Sequence, residues 1–197
     1  MLYGTEAYFV NDLVPAVSGD SQQPLTEDFI CFDLETTGLS AKNDRITEIG
    51  AVRIHKGEIT DRFDTFVDPE RPIPEKITQL TSITNDMVKG APKEAEALEQ
   101  FFQFCGEDAV LVAHNASFDA SFVRAALQRQ GKPFPNTTID TVTMARSLLP
   151  DLKKATLDSV ANYLKLKPFH HHRAEDDAAV LGEIFLNFLD RLRHDQG

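Results

Sequence analysis

The sequence has little cysteine, no long apolar run and no surplus of positive charge. Its two cysteines, Cys31 and Cys105, stand among apolar neighbours. They offer no disulfide framework and fit a reducing compartment. No apolar run approaches the ~18 residues of a membrane span. Glu6 and Asp12 fall where a signal peptide would need its apolar core. A soluble, cytoplasmic protein with no membrane partner is therefore expected. Lys and Arg number 20 against 31 Asp and Glu, a formal charge of −11, which argues against holding nucleic acid by bulk electrostatics. A nucleic-acid enzyme is not excluded, because carboxylates gathered around cations inflate the negative count and the cations cancel it. No Walker loop, Ser-His-Asp triad, Rossmann fingerprint or internal repeat is present.

What remains is ordinary for one globular domain: 197 residues, 42% hydrophobic and 26% charged, enough for a substantial core. Residues 1–27 read as a separate N-terminal segment and linker, either the tail of a preceding module or an edge hairpin outside the main core. Ser18–Pro24 is the linker-like stretch. The main domain is expected over 28–197. Phe29–Phe32 reads as a buried strand. The segments 48–55 and 58–67 alternate and are joined by Lys56-Gly57 as a tight hairpin. The first three strands should thus form an antiparallel meander. The stretch 68–92, with four prolines, is a structured connection with one or two short helices. Lys93–Cys105 is helical, Ala109–Ala113 is a short buried strand, and Ser117 is a candidate N-cap for a helix to Gln130. Asp140 and Thr156 are candidate caps for two further helices, and a last helix spans 174–192. The order βββαβααα implies an α/β plan, a mixed central sheet flanked by helices.

The chain's chemistry is concentrated in FDLETTG, from Phe32 to Gly38. Strand alternation puts Asp33 and Glu35 on one face with Phe29 and Cys31. Two carboxylates at the end of a core strand repel one another and resist desolvation, so they need a countercharge. A fraying, solvated strand end is the bland alternative, and more inward acids downstream would decide between them. Asp119 is one such acid. At ~100° per residue, Ala126 lies about −20°, Val123 about +40° and Phe122 about −60° from it. Asp119 thus sits within the apolar stripe, in a first turn that favours negative charge. In the last helix, Asp177 falls about 60° from the centre of the apolar face, and Asp176 about 200°. Asp177 therefore points inward and Asp176 outward. His172 lies five residues before Asp177, and the two converge only if His172 belongs to the loop before the helix. There it is a candidate general base; a solvated polar loop is the alternative for the run His170–His172. Lys153, Lys154, Lys165, Lys167 and Arg173 make this the most basic part of the chain, where a phosphate backbone could run.

Four inward acids and a histidine suit Mg²⁺ or Mn²⁺ rather than zinc. A pair of such ions is the usual device for in-line attack on a phosphodiester. FDLETTG, HNASFD and HRAEDD, complete and in this order, resemble the three motifs of the DEDDh exonucleases. The resemblance implies a ribonuclease-H-like fold and 3′→5′ hydrolysis with two Mg²⁺ or Mn²⁺ ions. It implies metal binding by Asp33, Glu35, Asp119 and Asp177, and a general-base role for His172. It also implies contacts to the terminal nucleotide from Thr36, Thr37, Gly38 and Leu39, with His114, Asn115 and Phe118 shaping the strand's path. The phrases RPIPEKITQLTSITNDMVKGAP and VAHNASFDASFVRAAL, and the N-terminal LYGTEAYFVNDLVPAV, are further similar to the proofreading exonuclease region of PolC-type polymerases. The implied partners are a single-stranded or frayed 3′ end of DNA and the rest of a replicative polymerase. Two alternatives stay open, an RNA-directed exonuclease and a catalytically silent polymerase-docking module.

Overall fold

A computed structural model describes residues 16–18, 28–167 and 173–195. Its centre is a mixed six-stranded sheet in the order β1-β6-β5-β2-β3-β4. The strands are β1 (Val17–Ser18), β2 (Asp28–Thr36), β3 (Ile46–His55), β4 (Glu58–Phe66), β5 (Val110–Ala113) and β6 (Thr138–Asp140). β2, β3 and β4 pair antiparallel, as the alternation implies. Lys56 (φ 50°) and Gly57 (φ 81°) supply the two left-handed positions that a two-residue hairpin turn needs. β5 runs parallel to β2 and to β6.

Seven helices are described: α1 (Glu75–Thr81), α2 (Asn85–Val88), α3 (Glu94–Cys105), α4 (Ala116–Arg129), α5 (Thr141–Leu148), α6 (Leu157–Tyr163) and α7 (Ala174–Asp195). α1 and α2 are the short helices expected in the proline-rich connection, and Ile73, Ile83 and Val88 close a small core beneath them. The two sheet faces carry separate cores because β2 alternates. Phe29 and Cys31 face α5, α6 and α7 with Val52, Val112, Ile139, Phe185 and Phe188. Ile30, Phe32 and Leu34 face α3 and α4 with Leu98, Phe101, Phe122 and Val123. The ring of Phe185 meets Phe29 edge-on, centroids 4.8 Å apart, which docks α7 on the central strand. Asp140 and Thr156 cap α5 and α6, accepting from the amides of Val142 and Ser159 at 3.2 Å each.

Three expectations are corrected. Ser117 is not the N-cap of α4: the cap position is Asn115 (φ 68°), and Ser117 lies within the first turn. The amides there that lack a partner within the helix are satisfied from a distance, as Asp140 Oδ1 accepts from Asn115 (2.9 Å) and Ala116 (3.1 Å). The N-terminal segment is not wholly apart from the main core, since Ala16 is buried in it and Val17–Ser18 pair with Ile139 and Thr138. The stretch 138–140 is itself a strand, too short for its alternation to register as a pattern.

Candidate active site

β2 delivers Asp33 and Glu35 to the α7 side of the sheet, and the first turn of α7 delivers Asp177. One carboxylate oxygen from each of the three lies within 4.8 Å of the other two. Asp177 is buried and Asp33 and Glu35 are half-buried, as the two periodicities require. Asp176 is less buried than Asp177. Burial, then the charges of Asp119, Glu35 and Asp177, push Asp33 well above the carboxylate range. Glu35 is raised to about 9 by burial, then by Asp177, Glu48 and Asp119, with Arg173 opposing. Asp33 Oδ2 is buried and has no geometric hydrogen-bond partner among the described residues. An acceptor in that state costs free energy unless a cation completes it. Three carboxylates with one such oxygen form an all-oxygen donor set that fits a hard divalent cation.

Asp119 stands apart from this trio. It comes from α4, on the other face, is 2% exposed, and its Oδ1 accepts from the Leu34 amide at 3.3 Å. Burial raises its pKa, while the amides of Leu34 and of Asp119 itself pull it back down. Its charge is nonetheless felt by Asp33 and Glu35. Four acids thus converge electrostatically, three of them within ligand-sharing distance. His172, the fifth expected member, lies outside the described residues.

The turn after β2 is tightly organised. Thr36 Oγ1 donates to the Gly38 carbonyl (2.6 Å), and Thr37 Oγ1 donates to Asp44 Oδ1 (3.1 Å) and accepts from the Arg45 amide (3.0 Å). Asp44 Oδ2 also accepts from the Ser40 amide (3.0 Å). A Cβ on Gly38 would lie 2.4 Å from that oxygen, so any larger residue there displaces the carboxylate. Leu39 is thereby thrust outward, 86% exposed, an unusual position for a large apolar side chain. Asn115 is exposed, and Phe118 is half-buried with its ring 5.0 Å from that of Phe122. His114 is different. Its Nε2 donates to the Ala155 carbonyl (2.5 Å), and Nδ1 is hydrogen-bonded to the Thr141 hydroxyl (2.8 Å), which itself donates to the Ala113 carbonyl (3.2 Å). Burial lowers its pKa, and the ring ties the end of β5 to α5 and to the loop before α6.

Two acids that sequence reasoning did not single out support the site. Asp44 holds the turn, and Glu48, fully buried on β3, pairs with Arg173. The available signal for Glu48 is an acid set between Ile46 and the apolar run Ile49–Val52.

An α/β sheet with acids from β2 and two helices gathered at one strand end defines a metal-dependent nuclease architecture. The Exonuclease family (RNase_T) matches residues 30–185, and the chain belongs to that family. Along its length it is similar to the DNA polymerase III PolC-type protein of Caldanaerobacter subterraneus subsp. tengcongensis, with 47% identity over 193 residues. That match covers 98% of this chain and 14% of the relative, so the chain spans about a seventh of it. Among solved structures, exonuclease X in complex with 5′-overhanging duplex DNA superposes with a TM-score of 0.70 at 28% identity, over 82% of this chain and 91% of that one. The nuclease domain of 3′hExo, a DEDDh family member bound to rAMP, shares the fold at a TM-score of 0.73 and 19% identity, over 87% and 94%. The chain is an exonuclease domain of ribonuclease-H-like fold. No described helix is long and apolar enough to cross a membrane.

Proposed function

We propose that this domain removes nucleotides 3′→5′ from single-stranded or frayed DNA ends, releasing nucleoside 5′-monophosphates, as the proofreading exonuclease of a PolC-type DNA polymerase III in the cytoplasm. The observation that carries it is the meeting of Asp33, Glu35 and Asp177 within 4.8 Å. In this reading Asp33, Glu35, Asp119 and Asp177 hold two Mg²⁺ or Mn²⁺ ions. Such ions, once bound, activate water and neutralise the charge that develops on the leaving 3′-oxygen. The chain's own groups do the rest. Asp33 and Glu35, set on a central strand, are rigid, so reacting groups are oriented without further ordering cost. His172 takes the proton of the attacking water. Thr36, Thr37 and Gly38 form the seat of the terminal nucleotide, and Leu39 offers its exposed apolar face to the terminal base. Asn115 and Phe118 line the path of the strand. His114, its ring nitrogens engaged within the fold, shapes that path by holding the end of β5, which leads into α4, against α5. The rest of the polymerase is the partner that presents the frayed end.

The test is a 5′-labelled oligonucleotide offered as single strand, as duplexes with a matched or a mismatched 3′ end, and as RNA of the same sequence. With Mg²⁺ or Mn²⁺, stepwise shortening from the 3′ end of the DNA substrates is expected, with the mismatched duplex shortened faster than the matched one. Intact DNA, with binding retained, would sink the proposal, and preferential loss of RNA would move it to the ribonuclease alternative.

A further inference from the structure

We infer that Glu48 is a positioning residue for the metal centre, a buried carboxylate that grips the first turn of α7 through Arg173 and Ala174 and so places Asp177. The inference rests on the metal-dependent reading above and concerns how this chain builds the site.

Glu48 is 0% exposed, and both its oxygens are engaged. Oε1 accepts from Arg173 Nε (3.3 Å) and from the Ala174 amide (2.9 Å), and Oε2 accepts from Arg173 Nη2 (3.0 Å). A two-pronged guanidinium contact of this kind fixes orientation as well as charge. The Ala174 amide is among those at the start of α7 that lack a partner within the helix, and Glu48 accepts from it. With both oxygens occupied, Glu48 is not offered to a metal, although it stands directly opposite Glu35 in the β2–β3 ladder. A further carboxylate so close to the site raises Glu35, and Arg173 is what makes its burial tolerable.

The connection to Asp177 is one helical turn. The Asp177 amide donates to the Arg173 carbonyl at 2.9 Å, so the residue that Glu48 holds closes the turn bearing the ligand. A side chain's direction advances ~100° per residue along a helix, and anchoring residues 173 and 174 therefore sets where Asp177 points. Gly50 completes the device. It pairs with Asp33 across the ladder, and a Cβ there would lie 2.2 Å from the Ala174 carbonyl carbon and 2.3 Å from the Glu175 nitrogen. The helix start can come this close to the sheet only because that atom is missing. Phe66 of β4, paired with Glu48 on its other side, lies under the Arg173 guanidinium at 5.2 Å. Across three strands, one row of the sheet thus runs Glu35, Glu48, Phe66, from ligand to anchor to platform. In sequence, Arg173 also directly follows His172, so the same grip holds the chain beside the proposed general base.

The experiment compares the parent chain with Glu48→Gln, which keeps the shape and an acceptor for Ala174 but loses the charge pairing. Mn²⁺ binding is read by calorimetry, and turnover on a single-stranded oligonucleotide by initial rates. We expect Mn²⁺ affinity and kcat each to fall about 10- to 100-fold while KM for the oligonucleotide stays within about twofold. Hydrogen exchange of the first-turn amides of α7 should quicken in the metal-free protein. Unchanged Mn²⁺ affinity and kcat in a folded Glu48→Gln protein overturns the inference. If that variant does not fold, Arg173→Lys decides instead: it keeps the charge and loses the fork, so weaker Mn²⁺ binding supports the inference and parental binding overturns it. A parent chain that binds Mn²⁺ yet cleaves no oligonucleotide would refute the proposed function, while the calorimetric comparison would still decide the role of Glu48.

Discussion

The Leu34 amide donates to Asp119 Oδ1 over 3.3 Å, which ties the first turn of α4 to the strand backbone between Asp33 and Glu35. A single carboxylate therefore has two duties, one to the fold and one to the charge of the site. The two separate by substitution. Asp119→Asn keeps the acceptor and removes the charge, so metal-dependent turnover should fall while the metal-free protein is as stable as the parent or more so. Asp119→Ala leaves the buried Leu34 amide unpaired and should be less stable than Asp119→Asn by about 1–3 kcal/mol. Urea titration of the two metal-free variants checks this, and equal midpoints would refute it.

The two neighbouring acids of α7 should differ sharply. Asp177→Ala should cost about 100-fold or more in metal-dependent turnover, because it removes a proposed ligand. Asp176→Ala should leave turnover nearly unchanged. Initial rates at saturating Mn²⁺ decide it, and a reversed ranking would mean that the helix presents the wrong face.

The site should make the metal-free protein sensitive to alkali. Glu35 titrates near 9 in the folded chain against an ordinary value of 4.5, and Asp33 and Asp119 are raised in the same sense. These groups keep their protons in the folded state at pH values where the unfolded chain has lost them. Folded stability is thus fully present below the unfolded value and declines as pH rises toward the folded one. Without metal, Tm should drop from about pH 5 to about pH 9. Added Mg²⁺ or Mn²⁺ should reverse the drop, and by more at the higher pH, because the ion binds the deprotonated acids of the folded chain. Scanning calorimetry with and without a chelator reads this directly; a Tm that climbs with pH in the chelated protein would contradict it.

Gly38→Ala should injure substrate binding more than the fold. Its new Cβ falls 2.4 Å from Asp44 Oδ2, so the carboxylate that orders Thr37 and Ser40 must move. KM for a single-stranded oligonucleotide is expected to rise several-fold, with Mn²⁺ affinity unchanged. A variant with parental KM would show that the turn is not the seat of the terminal nucleotide.

Much of the site is written in local periodicity. Alternation along Phe29–Glu35 assigns Asp33 and Glu35 to the face of Phe29 and Cys31, and that face is the one α7 covers. The ~100° step of a helix turns Asp177 inward and Asp176 away. Composition and spacing alone sufficed for both, because each depends only on residues a few positions apart. The helices after β5, with their caps at Asp140 and Thr156, were legible for the same reason.

Partners distant in sequence were not legible. Ser117 has the right chemistry for a cap, yet Asp140 takes part of that role at α4 because β5 and β6 lie side by side with Ala113 opposite Asp140. Ala16 enters the core through pairing with a three-residue strand too short to announce itself. Above all, FDLETTG showed two acids in need of a countercharge, and no local pattern could say which groups would meet them. That was decided by the ladder that sets Glu48 against Glu35 and Gly50 against Asp33, and by the helix start that Gly50 admits. Periodicity governs where a side chain points, whereas strand register and close approach govern what it meets, and only the packed chain contains the second.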